Sequence, residues 1–163
     1  MKDLIAHGLS FRPIEVADES LLSAIYASTR ADEMALVPDW TAADISAFLE
    51  QQFQAQHTYY QQHYSNAQFQ IILFEGQAAG RLYIDQWTQE IRIVDISLLP
   101  EFRGRGLGEI ILRSILEEAA QVQKPVSIHV ERFNKALKLY ERLGFRMLDD
   151  SHAVYLLMEW RPA

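Results

Sequence analysis

The spacing of apolar residues along the chain changes near Gln68. Between Asp18 and Arg30, Leu21, Leu22, Ile25 and Tyr26 recur at helical spacing, with Asp18 or Ser20 placed to cap the start. Pro38 and Asp39 interrupt that pattern. Thr41, with Asp44 three residues on, then reads as a capping box with the shorter acid and opens a second helix, predicted from Ala42 to the neighbourhood of Tyr60. Its glutamine-rich end keeps Phe53, Tyr59, Tyr60 and Tyr64 interleaved, which marks a packed element rather than a linker. After Gln68 the runs become β-rich. "FQIILFEGQAAGRLYIDQW" is a hairpin about Glu75-Gly76-Gln77, and "IRIVDISLL" a third strand closed by Pro100. Leu107, Ile110, Ile111, Ser114, Ile115, Ala119 and Val122 mark one face of a helix that Pro125 must end. "VSIHV" is a short strand, "NKALKLYERLG" a helix with Gly144 as its C′ residue, and "FRML" and "AVYLLMEW" are closing strands around "DDSH". The order β-β-β-α-β-α-β-β behind two helices predicts an α/β fold, a mixed sheet with helices on both faces.

Composition narrows the function classes. A chain of 163 residues with 49% hydrophobic content is expected to form a single domain, residues 1–163, around one core. A net charge of −7 and a pI near 5.2 would repel a polyanion, so nucleic acid is not an expected partner. The apolar runs fall far short of the roughly 20 residues needed to cross a bilayer, so no membrane association is expected either. "MKDLIAHGLSFRP" lacks the pattern of a secretory signal, which makes the cytoplasm the expected location. The absence of cysteine excludes disulfides, thiolate metal sites and a covalent cysteine intermediate. Of the five histidines only His57 and His63 are near neighbours, at a spacing that does not suit one helical face, and no metal site is expected. No Gly-x-Ser-x-Gly elbow is present.

The candidate chemistry lies in "LLPEFRGRGLGEIILRSILEEA", residues 98–119. A strand that ends in a tight turn opening a helix directs several backbone amides and the positive end of the helix dipole at one place, which binds an anion. Gly104, Gly106 and Gly108 leave those amides uncovered, and Arg103 and Arg105 can add charge-assisted hydrogen bonds. A glycine-rich turn with solvated arginines would read the same way. A Walker A loop fails, because Gly108 is followed by Glu109. A dinucleotide fingerprint, with Glu131 as its acid, has its third glycine one residue early and too little chain after Glu131 for a second half. The pattern Arg/Gln-x-x-Gly-x-Gly/Ala is met at Arg103, Gly106 and Gly108.

"LLPEFRGRGLG" followed by "NKALKLYERLGF" resembles the cofactor-binding core of the GNAT superfamily of acyl-CoA-dependent N-acyltransferases, in element order over about residues 69–160. The resemblance implies a largely antiparallel sheet of about six to seven strands. It implies coenzyme A as carrier, acetyl-CoA being the expected acyl donor, with its diphosphate on Arg103, Gly104, Arg105, Gly106, Leu107 and Gly108. The main chain at Leu98 and Leu99 would pair with the pantetheine arm like an added strand, through a bulge and a splayed gap before "VSIHV". An N–H near Leu98 would polarise the thioester carbonyl. Asn134 would contact the pantetheine, although Asn is also a good helix N-cap, and Tyr140 would protonate the departing thiolate, although its spacing with Ala136 and Leu143 also fits a core.

The attacking amine must be neutral, which makes Asp95 the first candidate for a general base, ahead of Asp85, Glu90 and Glu33. An acceptor pocket is expected from the segment 30–40 and the hairpin end at 85–87, where Asp32, Glu33, Asp39, Asp85, Trp40 and Trp87 could hold a cationic amine or stand as ordinary rim residues. The reading is an N-acetyltransferase acting by direct attack. An acyl-CoA-binding sensor without catalysis and a dinucleotide-binding oxidoreductase are the alternatives. The terminal strand "AVYLLMEW" leaves room for a homodimer.

Overall fold

The strands begin where the period changes. The computed structural model describes residues 2–163, and within them β2 (Gln68–Phe74) and β3 (Gln77–Gln86) form the expected antiparallel hairpin. Glu75 and Gly76 at its tip have φ of 50° and 81°, the left-handed pair whose twist matches that of the flanking strands. β4 (Ile91–Leu98) joins β3 antiparallel, and β5 (Val126–Glu131) joins β4 parallel. β7 (Tyr155–Trp160) and β6 (Arg146–Asp149) complete a seven-stranded sheet of order β1-β2-β3-β4-β5-β7-β6, with β1 (Leu9–Pro13) at the far edge. Among the described residues its single parallel junction needs a crossover, which α5 (Leu107–Gln121) supplies. One parallel pair in seven strands is not the doubly wound sheet of a dinucleotide fold.

Two helical layers cover the sheet. On one face α2 (Glu19–Thr29) and α4 (Ala42–His63) bring Leu22, Ile25, Tyr26 and Phe53 onto Ile71 and Tyr83, all fully or almost fully buried. On the other, α5 lays Ile111, Leu112 and Ile115 into a core with Leu82, Ile84, Ile93 and Ile128, joined by Leu4 of α1 (Lys2–Ala6) and by Tyr140 and Leu143 in and just after α6 (Leu137–Arg142). The Thr41 box is formed: Asp44 N donates to Thr41 Oγ1 and Thr41 N to the Asp44 carboxylate, both at 3.1 Å.

The structure differs from the sequence expectation at several points. α1, β1 and the short α3 (Ala31–Met34) are additional elements. β1 is five residues long and ends on Pro13, which an edge strand tolerates because the missing amide need serve no neighbour. Asp18 does not cap α2; its carboxylate accepts from Glu15 N at 2.7 Å and pairs with both terminal nitrogens of Arg12. Val122 lies past the end of α5 and is exposed, while Leu112 and Leu116 widen the buried stripe. β7 lies between β5 and β6 and is paired on both sides, and the sheet's edge strands are β1 and β6.

At Gly80, β3 leaves no room for a side chain against β4. A β-carbon there would stand 2.0 Å from the Ser97 carbonyl oxygen and 2.9 Å from Leu98 Cα. Both are backbone atoms that no rotamer change can move. Gly80→Ala should therefore push β4 off its neighbour and lower unfolding stability by about 2 kcal/mol or more, read from urea denaturation.

Candidate active site

The main-chain pairing of β4 creates the site. β4 and β5 pair only through Ile91 with Val126, Arg92 with Ser127, and Ile93 with Ile128. On its other side β4 stays paired with β3, but Tyr83 opposes Asp95 while Ile84 opposes Ile93, leaving Val94 as a bulge. Leu99 N donates to Ala79 O at 2.8 Å, which fixes the alternation beyond the bulge. Asp95, Ser97 and Leu99 face β3, and the N–H and C=O groups of Ile96 and Leu98 face the gap left by β5. An unpaired strand edge thus runs inside the sheet.

The glycine loop closes the open end of that gap. After a 3₁₀ turn at Pro100–Phe102, Gly104 and Gly106 take φ of 76° and 77°, which a side chain would strain. Nothing lies within 4 Å of where a β-carbon would sit on either residue. Gly108 has an ordinary helical conformation, and a β-carbon there would meet, outside its own helix, only Leu98 Cδ1 at 3.9 Å, so the fold leaves space beside it. Gly106 is the N-cap of α5, and no side chain caps the helix, so the first-turn amides from Leu107 onward stay open. The one acid in that turn, Glu109, is drawn off by Arg142 at 2.8 Å and Arg113 at 3.0 Å, which hold its carboxyl below the ordinary range. Open amides, left-handed glycines and an occupied acid fit a diphosphate.

The loop arginines behave differently from each other. Arg105 lies across the rings of Phe74 and Phe102, at 5.9 and 5.8 Å. Arg103 turns back along β4, its Nε donating to Leu98 O at 2.9 Å and its Nη2 to Ser28 Oγ at 3.1 Å. It therefore sits on one of the exposed edge groups of β4.

Asn134 and Tyr140 lie on the far side of the gap. Asn134 Oδ1 accepts from Ala136 N at 2.8 Å in the turn before α6, whose N-cap is Ala136 rather than Asn134, and its amide nitrogen makes no hydrogen bond to a described residue. Tyr140 is 5% exposed and packs edge to face on Phe145 at 5.6 Å. Its hydroxyl makes no hydrogen bond among the described residues. Burial, with the negative charge of Asp95 adding to it, pushes the phenol above the ordinary tyrosine range, so it carries its proton throughout the physiological range.

Asp95 has four donors around it. Arg81 reaches it through Nε at 3.2 Å and Nη2 at 2.9 Å, Ser97 Oγ donates at 2.8 Å and Tyr60 OH at 3.1 Å. Arg81 is 1% exposed, with Gln56 Oε1 as its other partner at 2.7 Å. Asp95 is thus the counter-ion of a buried guanidinium in the wall of the gap. Sequence reasoning misses Arg81, Ser97 and Tyr60 as site residues, and the available signal is an arginine in the middle of an otherwise apolar strand.

The expected acceptor residues lie at several places. Glu33 pairs with Arg30 at 2.8 Å and Asp32 with Lys135 at 3.1 Å, whereas Asp85 and Trp87 lie with the C-terminal end of α4. Trp40 packs edge to face on Phe48 at 5.4 Å. Glu131, the acid a dinucleotide fold would need for a ribose, is instead held by Arg30 at 2.6 and 3.1 Å. Among the described residues no cluster of three histidines or acids could hold a metal, and no helix is long and apolar enough to cross a membrane.

A strand splayed from its parallel neighbour, a bulge, and a glycine loop feeding an uncapped helix define an acyltransferase fold. The chain belongs to the acetyltransferase (GNAT) family, whose model matches residues 34–145. No curated protein matches it in sequence. Among solved structures it is similar to the PaiA N-acetyltransferase of Thermoplasma acidophilum in complex with coenzyme A, at 15% identity and TM-score 0.68, covering 94% of this chain and 98% of that one. It is similar to an acetyltransferase of Thermus thermophilus, at 18% identity and TM-score 0.65, over 94% and 96% of the two chains. A GNAT family acetyltransferase of Elizabethkingia anophelis with acetyl-CoA bound matches at 12% identity and TM-score 0.59, over 94% and 98%.

The Arg81–Asp95 pair gives a stability test. Asp95→Asn leaves a buried guanidinium without its charge partner, and the side chains are only 2% and 13% exposed. Unfolding stability should fall by about 3 kcal/mol in chemical denaturation. Replacing both partners by apolar residues of similar size should recover much of that loss.

Proposed function

We propose that this protein transfers an acetyl group from acetyl-CoA to a primary amine, the amine attacking the thioester directly in a ternary complex. The observation that carries the reading is the unpaired edge of β4 leading to the uncapped N-terminus of α5. An extended amide-bearing chain can pair with Ile96 and Leu98 while a diphosphate rests on the amides after Gly106. Two neighbours of the same fold support the choice of ligand, one being a complex with coenzyme A and the other having acetyl-CoA bound.

The residues then have distinct jobs. An N–H of the β4 edge, at Leu98 or Ile96, donates to the thioester oxygen as negative charge grows on it. Tyr140, buried and protonated, supplies a hydrogen bond and then a proton to the departing sulfur. Asn134 offers its free amide nitrogen to the pantetheine. Arg103 must release Leu98 O for the arm to pair there, and is then free to meet the diphosphate. Asp95 acts through its field, because taking the amine's proton would mean giving up its pair with Arg81. With no cysteine in the chain, no acyl-enzyme is needed.

A thiol-release assay with acetyl-CoA and a panel of amines tests the reading. Tyr140→Phe should lower kcat by about 100-fold while coenzyme A affinity stays within about threefold. A non-catalytic sensor would bind acetyl-CoA and release no thiol with either form. If no protein group is the base, the pH at which kcat/KM levels off should follow the acceptor's own pKa, near 8 for an α-amine and above 10 for a lysine-like amine. A midpoint that stays fixed across acceptors would instead reveal a titrating group of the protein.

A further inference from the structure

The end of the sheet opposite the glycine loop holds a buried carboxylate to which the proposed transfer mechanism assigns no role. Asp85 on β3 is 6% exposed, yet it makes no hydrogen bond and no ion pair with any described residue. It lines a cavity of about 430 Å³, together with His63, Ser65 and Asn66 at the end of α4 and Trp87 at the hairpin end. A carboxylate on a residue this little exposed, with no partner in the protein, leaves a demand that a cation entering the cavity can meet.

The surroundings sharpen that demand. α4 is 22 residues long, and its C-terminal end carries the negative pole of the helix dipole. Its last turn contains no lysine or arginine, and the one basic residue, His63, turns its Nδ1 back on Tyr59 O at 3.0 Å. Arg92 stands opposite Asp85 across the β3–β4 pair, but its guanidinium is drawn elsewhere, with Nε on Ser127 Oγ at 2.8 Å and its Cζ over the Trp87 ring at 4.7 Å. Lys124 is bound to Trp87 O at 2.9 Å. Neither cation forms an ion pair with Asp85.

We infer that this cavity is a binding site for a small organic ammonium group, with Asp85 as its anchor and the side-chain oxygens of Ser65 and Asn66 as further acceptors. It lies at the opposite end of the eight-residue β4 from the diphosphate loop, about 25 Å away along the strand. The bound ammonium comes from one of two sources, a second amine on the acceptor or a separate effector. Only the first rests on the acyl-transfer reading.

Calorimetric titration of the full chain with propylammonium and with 1,4-diaminobutane tests the site. The wild type should show saturable one-site binding that weakens at least tenfold in Asp85→Asn and is kept within a few-fold in Asp85→Glu, with thermal unfolding midpoints confirming that both variants fold. No saturable binding by the wild type, or equal binding by Asp85→Asn, overturns the inference. Thiol-release kinetics then separate the sources: an acceptor amine raises the KM of the diamine in Asp85→Asn and makes propylammonium a competitor, whereas an effector changes kcat and leaves the acceptor KM in place. Thiol release with no amine at all would overturn the acyl-transfer reading while the titration still decides the cavity.

Discussion

Backbone amides and carbonyls inside a sheet must find partners, and β4 withholds its own from β5 after three residues. That constraint organises the molecule. An N–H or C=O left unpaired in the middle of a sheet is costly unless water or a ligand completes it, so the opening between β4 and β5 is stable only as a place where something else binds. The bulge at Val94 releases the strand from one neighbour without breaking its register with the other. Gly80 lets β3 lie close enough to hold β4 from behind. The glycine loop continues the same line of free amides from strand to helix, so that one surface of main chain offers partners both to an extended chain and to an anion.

Side chains tune this main-chain device. The Arg81–Asp95 pair is a buried charge couple a few residues from the gap, and its negative member contributes to keeping Tyr140 protonated. Buried ion pairs add little net stability against apolar alternatives. What this one supplies is a fixed charge couple whose negative member acts on the Tyr140 phenol. Tyr140 shows the other side of the arrangement: its ring belongs to the core with Phe145, while its hydroxyl is left without a partner among the described residues. Core and site are therefore not separate sets of residues here.

Much of the architecture was legible because periodicity and turn chemistry are local. The Glu75-Gly76 hairpin, the Thr41–Asp44 box and the stripe on α5 all follow from neighbours a few residues apart. The glycine loop was legible for the same reason, its left-handed turns leaving a trace in composition. α1 and β1 were not, since five residues each are too few to establish a period, and "LSFRP" mixes polar and apolar positions before a proline. The gap itself was reached through the family resemblance, for no residue in β4 or β5 announces where a ladder stops. Asp95 illustrates a deeper limit. A carboxylate on a central strand reads as a candidate base, and only the placement of Arg81, Ser97 and Tyr60 around it reveals a counter-ion.

The position of Arg103 bears on the exposed edge of β4. A strand edge with free hydrogen-bonding groups invites any extended peptide of similar width, including a segment of another copy during folding or storage. By laying its guanidinium on Leu98 O and tethering it to Ser28, Arg103 occupies one rung of that exposed ladder. Both contacts are solvent-exposed. One guanidinium thus leaves a stray strand a shorter row of free groups to pair with.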